Sequence, residues 1–247
     1  MKRTNNFLSV ITLILLIVSI IPIGRYTVIA KTQDCGPAVI WDMNASTGVL
    51  TISGTGKMYD YSYGNAPWYS YHDDIRSVKI EGEVNSIGDH AFYLCHKLTS
   101  INIPDSITSI GSGAFSGCYR LDYVIMPVSV TFIGSYAFSG CTNLSSITIP
   151  NNVATIGHYA FWNCTRLTSV TIPNSVTSIG ECAFLGCAAV KSVIIGNSVT
   201  WIGNAAFFGC SHTSINIPAS VDTVFGTSLG AGLESITVES NNKTYHS

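Results

Sequence analysis

The dipeptide Ile-Gly occurs at Ile87, Ile110, Ile133, Ile156, Ile179 and Ile202, and the spacing is 23 residues every time. A fixed period of this length marks a chain built by stacking one supersecondary unit on the next. Counted from the isoleucine, the unit reads I-G-x-x-A-F-x-x-C-x-x-L-x-S-I-x-I-P-x-S-V-x-x. Eight of the 23 positions are recurrently apolar. One copy cannot bury that apolar set alone, but neighbours stacked in register can.

Each fixed position has a physical meaning. The glycines Gly88, Gly111, Gly134, Gly157, Gly180 and Gly203 are expected where the backbone needs a positive φ or a close approach. Ala91 and Phe92, with their equivalents through Ala206 and Phe207, pair a small and a large residue on the buried side of a short helix or turn. The alternating segments Ser146–Ile149 and Ser169–Ile172 predict a short strand. Pro104, Pro127, Pro150, Pro173 and Pro218 end that strand, because proline cannot donate to a ladder. The period therefore predicts an α/β solenoid with one short strand and one short helix or turn per coil.

Leu144, Ile147, Ile149 and Asn152 resemble the leucine-rich-repeat signature L-x-x-L-x-L-x-x-N. With IGxxAFxxC and SIxIPxSV, the unit is similar to the BspA-like type over roughly residues 36–247. The resemblance implies a right-handed superhelix, and an adhesive role toward host matrix proteins or other cells. The asparagine column departs from the signature, reading Ser106, Ser129, Asn152, Ser175, Ser198 and Ser220. Serine hydroxyls can still bond the backbone of an adjacent coil, so a weaker ladder is expected there.

The two ends differ from the middle. Residues 39–53, VIWDMNASTGVLTIS, place alternating apolar runs around a turn and predict a β-hairpin. Residues 59–71 add aromatics, so residues 31–74 are expected to cap the first coil, resembling the cap of BspA-like proteins. The solenoid then spans 75–239, with a partial first copy from Ile75. The copy after Cys210 is one residue short, and 224–238 lose the Ala-Phe and Cys positions. Residues 240–247 look like an unfinished repeat or tail, as expected of a fragment or a truncated member.

Lys2 and Arg3 followed by the apolar run Phe7–Ile23, with Val28 and Ala30 at a cleavage position, have the layout of a secretory signal peptide over residues 1–30. The competing reading is an uncleaved membrane anchor, since the run approaches the ~17–25 residues that span a bilayer, although Ser9, Thr12, Ser19 and Pro22 weaken it; export is expected, and nothing after Ala30 is apolar enough to span a membrane. Without residues 1–30 the chain keeps nine basic residues against fourteen acidic ones, a formal charge of −5. A nucleic-acid binder needs a basic face, so that class is set aside.

Chemistry has few candidates. Cys95, Cys118, Cys141, Cys164, Cys187 and Cys210 share one column, with Cys35 and Cys182 outside it. Equivalent side chains in stacked coils point in parallel, which keeps Cβ atoms about 5 Å apart, beyond the ~3.5–4.5 Å of a disulfide. Zinc needs ligands that converge, and a straight column does not. The column is expected to be a small apolar filler, with Cys35 as the free or partner-seeking thiol. No two histidines share a repeat position, so stacking is not expected to gather them. His72-Asp73-Asp74 before the first strand could bind a cation, but such a cluster is more often a solvated loop that ends the cap, and that is the reading adopted. No catalytic constellation or phosphate loop is present in the sequence, and no cofactor is expected.

Surface positions remain. Outward strand residues stack with mostly small polar side chains, and Tyr123, Ile125, Thr148, Thr171 and Ile194 are the candidate contacts of a concave binding sheet. A column before the strand, Lys97, Arg120, Asn143, Arg166, Ala189 and His212, is expected to complement helix C-termini; as a basic stripe it could also steer an anionic partner. The cap aromatics Tyr59, Tyr61, Tyr63, Trp68, Tyr69 and Tyr71 cover core or offer a sugar platform. Asn44, Asn143, Asn163 and Asn242 begin glycosylation sequons. The expected function is a secreted or surface module that binds an extracellular protein or glycan without catalysis. The alternatives are a repeat scaffold whose activity lies beyond Ser247, and, with no supporting residues, an exported hydrolase.

Overall fold

The computed structural model describes residues 33–225, 227–230 and 232–242; the expected signal peptide and the last five residues lie outside them. Strand β1 (Gln33–Gly36) pairs antiparallel with β2 (Val39–Asn44), which turns through residues 45–48 into β3 (Val49–Lys57). Asn44 closes that turn: its side-chain oxygen accepts from the Ser46 and Thr47 amides, and Gly48 takes a positive φ. The hairpin predicted from the sequence is present. From β3 onward every strand pairing is parallel.

Each coil contributes two strands rather than the one expected. A first series runs Ser77–Ile80, Ser100–Asn102, Tyr123–Ile125, Ser146–Ile147, Ser169–Thr171, Ser192–Ile194, Ser214–Ile217 and Ser235–Val238. A second runs Glu83–Ile87, Ser109–Ile110, Phe132–Ile133, Thr155–Ile156, Ser178–Ile179, Trp201–Ile202 and Thr223–Val224. Strand β3 templates both, pairing Val49–Ile52 with the first series and Thr55–Lys57 with the second. The second sheet is continuous to Val224, whereas the first breaks into shorter ladders after Ile147 and after Ile194. The latter break coincides with the copy that is one residue short.

Of the short helix or turn expected around Ala-Phe, the structure has the turn. Residues such as 88–94 make a run of tight turns, and the only helical element among the described residues is a 3-10 turn at Tyr69–Tyr71. The cause is backbone handedness. Two positions per coil have positive φ: His90, Gly113, Tyr136, Tyr159, Cys182 and Ala205 at one, and Leu94, Gly117, Gly140, Asn163, Gly186 and Gly209 at the other. A right-handed helix cannot pass through them. Alternate amides point along the solenoid instead: His90, Phe92 and Leu94 donate to Ser112, Ala114 and Ser116 of the next coil, each at 2.8 Å. The cations expected to complement helix C-termini therefore have no helix to complement.

The core is a set of columns. Phe92, Phe115, Phe138, Phe161, Phe184 and Phe207 are fully buried, with successive ring centroids 5.0–5.4 Å apart. Trp68 of the cap heads the column, stacking on Phe92 at 5.8 Å and donating its Nε1–H to the Ala91 carbonyl at 2.7 Å. At the far end His212 is buried against Phe207 and bonds the Leu229 carbonyl through Nε2 at 2.8 Å.

The Ile-Gly glycines turn out to serve close approach alone, since none has a positive φ. A Cβ on Gly134 would lie 2.6 Å from the Ser112 amide nitrogen, so the coils would have to part. At Gly140 the reverse holds: φ is +72°, and a Cβ would meet nothing nearer than 3.7 Å. Gly140→Ala should cost about 1 kcal/mol through handedness alone, and Gly134→Ala about 2–3 kcal/mol through overpacking. Urea unfolding of the two variants checks the order; equal destabilisation would contradict it.

Candidate functional site

The five candidate contacts lie on the outward side of the first sheet. Tyr123 and Ile125 flank buried Val124 on one strand, with Tyr123 in register with Ser100 and Ser146 and Ile125 with Asn102. Thr171 pairs with Ile194 two strands on, and Thr148 falls between by the repeat spacing. Tyr123 is 49% exposed, Ile125 65% and Ile194 57%, although their neighbours in these columns are Ser, Thr, Asn and Lys. Ile125 and Ile194 stand three coils apart, about 14 Å at the inter-strand spacing. A shallow depression lined by Lys79, Glu81 and Asn102 adjoins the column at its N-terminal end.

Several expected features are resolved differently. His212 is buried, Lys97 Nζ lies 3.6 Å from Asp74 Oδ1, and Arg166 donates to Asn143, so the column before the strand is not a free basic stripe. Trp68 is buried as core, and Tyr61 donates its hydroxyl to the Cys35 carbonyl, whereas Tyr59 and Tyr63 remain exposed. The serine ladder is partial. Ser129, Asn152 and Ser220 donate to carbonyls of the preceding coil at 2.6–2.8 Å, while the buried hydroxyls of Ser106 and Ser175 find no partner among the described residues. Of the sequon asparagines, Asn242 is buried and its amide nitrogen donates to the Pro218 and Val221 carbonyls, so it is closed to modification in this fold.

The second sheet and the turn run carry exposed aromatics that the single-strand reading missed. Phe132 and Phe225 are exposed, and Trp201 meets Phe225 and His158 edge-on at 6.3 and 6.2 Å. On the turns Tyr136 stacks on Tyr159 at 4.7 Å, and Trp162 stands against Tyr159. The available signal was the residue before each Ile-Gly, which reads Ser86, Ser109, Phe132, Thr155, Ser178 and Trp201 and alternates with the buried isoleucine. At two residues per strand it was too short to stand out.

The cysteines are all free and all buried. Cys35, expected as the free or partner-seeking thiol, is free but fully buried, and burial, with Asp34 adding, pushes its pKa up to about 12. The column thiols are more than filler. Cys118, Cys141, Cys164, Cys187 and Cys210 each donate Sγ–H to the phenylalanine carbonyl of the preceding coil, at 3.1–3.4 Å. That carbonyl lies outside the coil-to-coil amide ladder, and the thiol supplies it a second donor beside the cysteine amide of its own coil.

A solenoid of short coils with two parallel sheets and a hairpin at its start defines a leucine-rich-repeat protein, here with an exposed strand face as its candidate site. The model for the BspA type leucine rich repeat region matches residues 65–181 and 154–247 in six copies, and the chain belongs to that family. It is similar to a leucine-rich repeat protein of Eubacterium ventriosum at 27% identity and a TM-score of 0.66, covering 85% of this chain and 60% of that one. A leucine-rich repeat protein of T. pallidum is 28% identical with a TM-score of 0.53, over 70% of this chain and 76% of that one. One from Bacteroides ovatus, at 24% identity and 0.53 over 85% and 66%, shares the fold. No match was found among curated proteins.

Burial by the core holds the thiols of Cys118 and Cys141 protonated, well above the ordinary range of about 8.5. Above that pH the unfolded chain releases protons that the folded chain keeps, so stability falls as pH rises. Each such thiol contributes a slope of about 1.4 kcal/mol per pH unit. The urea midpoint should drop between about pH 8 and pH 10, and Cys141→Ala should make the fall shallower by one thiol's share. A midpoint unchanged over that window would refute the assignment.

Proposed function

We propose that this protein is an exported binding module that presents the outward face of its first sheet to an extracellular protein or glycan, such as host matrix or another cell surface. The observation that carries the proposal is the exposure of Tyr123, Ile125 and Ile194 in columns otherwise filled by small polar or charged residues. Those side chains do nothing for the core, since Val124 and Val193 between them face inward. Large apolar groups on a solvated sheet cost solubility, and contact with a partner is what offsets that cost.

Thr148 and Thr171 lie between Ile125 and Ile194 and offer hydroxyls and methyls along the same line. A partner running across the strands would meet an apolar contact at each end and hydrogen-bonding groups between. About 14 Å is spanned by roughly four residues of extended chain. Export is supported by the charged and apolar layout of residues 1–30, and membership of the BspA type agrees with an extracellular setting. Among the described residues no helix is long and apolar enough to cross a membrane.

The proposal is tested by capture of purified matrix proteins and of glycan arrays on immobilised protein. Tyr123→Ala and Ile125→Ser should each weaken binding about tenfold or more, as hot-spot truncations do, while leaving the Tm unchanged. Capture that ignores every substitution on this face would sink the idea.

A further inference from the structure

The cap and the first full repeat meet at three side chains that the binding face does not use. His72 follows the 3-10 turn, and its Nδ1 lies 2.7 Å from the Tyr69 carbonyl oxygen. A carbonyl only accepts, so Nδ1 carries the proton and Nε2 keeps the lone pair. That Nε2 lies 3.4 Å from Asp73 Oδ2. Asp73 and His96 are 23 residues apart, so the repeat stacks them on adjacent coils and brings His96 Nδ1 to 2.8 Å from Asp73 Oδ1.

Unlike the cysteine column, these groups converge. The imidazole planes cross at 72° with centroids 5.7 Å apart, and the three ligating atoms all lie within 4.8 Å of one another. The Asp73 carboxylate reaches both rings, Oδ1 lying 2.8 Å from His96 Nδ1 and Oδ2 3.4 Å from His72 Nε2, close to the ~3.3 Å that separates neighbouring ligand atoms around an ion with legs of about 2.0 Å. Both rings are held in place: His72 lies flat on Tyr69 at 4.5 Å, and His96 on Tyr119 at 4.9 Å. The Tyr69 carbonyl fixes the tautomer of His72 as an outer-shell partner of a metal ligand does. Without an ion His96 Nδ1 donates to Asp73 Oδ1, since a carboxylate only accepts; a bound ion takes the place of that proton, which moves to Nε2, an atom with no hydrogen-bond partner among the described residues. Asp74 is engaged by Lys97 and leaves the cluster a single carboxylate.

We propose that His72 Nε2, the Asp73 carboxylate and His96 Nδ1 form a binding site for zinc, completed by water or by a donor from a partner. Two imidazoles and one carboxylate suit zinc and disfavour magnesium or calcium, which take oxygen ligands. Asp73 is exposed, which leaves an entry path and an open fourth position. Because two ligands belong to the cap and one to the first repeat, the ion staples that junction.

The full chain, stripped with a chelator, is titrated with zinc chloride against a chromophoric zinc indicator. One equivalent should bind with a Kd of about 1 µM or tighter, and the Tm should rise with zinc but not with magnesium. Asp73→Asn and His96→Ala should each weaken binding tenfold or more, and Cys141→Ala should leave it unchanged. If His96→Ala fails to fold, His72→Gln takes its place. With cobalt, the ring resonances of His72 and His96 should be the ones broadened. Failure to bind one equivalent below about 100 µM, or equal binding by wild type and both ligand variants, overturns the site.

Discussion

The spacing between successive coils, set by backbone hydrogen bonds that run along the solenoid, is the constraint from which the rest follows. Amides of the turn run donate forward to the next coil, while amides such as Thr99, Thr108 and Gly111 donate back to the preceding one. With both directions in use, the coils are locked near the inter-strand distance. At that distance equivalent aromatic rings stack 5.0–5.4 Å apart, so a phenylalanine column packs without gaps. At that distance too, a glycine is needed where one turn crosses the next, as at Gly134. The carbonyl left out of the ladder is reached by the thiol of the next coil, which is why a cysteine recurs there beside a small core volume.

The ends show how the same spacing is started. A lone coil exposes both its column and its ladder, so stability in such chains rests on nearest-neighbour interfaces. Strand β3 provides a ladder edge to both sheets at once, and Trp68 provides the first ring of the column. Trp41 and Tyr61 pack edge-on against Trp68, so the cap is a small aromatic cluster whose inner member belongs to the repeat core. At the other end the shortened copy disturbs only the first sheet, while the second runs on to Val224.

Much of this was legible in the sequence, and the misses have physical causes. The period, the hairpin, the first strand series and the burial of the cysteine column follow from spacing and alternation. The second series did not, because Ser109–Ile110 and its equivalents are two residues long and carry almost no periodic signal. The choice between helix and turn stayed open because five of the six left-handed residues at one position, His90, Tyr136, Tyr159, Cys182 and Ala205, are not glycine, Gly113 being the sixth. The glycines at Gly117, Gly140, Gly186 and Gly209 were the available clue. His72-Asp73-Asp74 stood out as a possible cation site, but His96 was compared only with histidines in its own column. The cluster at the cap instead pairs unlike residues, Asp73 and His96, in one column, with His72 one step aside.

Function lives where the repeat leaves residues free, and the free positions are not alike. Inward columns are fixed by their neighbours, so Val124 or Val193 can change little without opening a gap. Outward positions on the first sheet need only fit a pleated, solvated surface, which serine, threonine and asparagine satisfy. Ile125 and Ile194 depart from that minimum without gaining burial, and they do so on one line separated by threonines. Several exposed aromatics of the second sheet and turns, by contrast, already meet one another, as Tyr136 with Tyr159 and Trp201 with Phe225 do. Side chains that cover each other have less surface left for a partner. Among the described residues Tyr123, Ile125 and Ile194 of the first sheet have no ring contact of this kind, and that difference makes the first sheet the face to expect a ligand on.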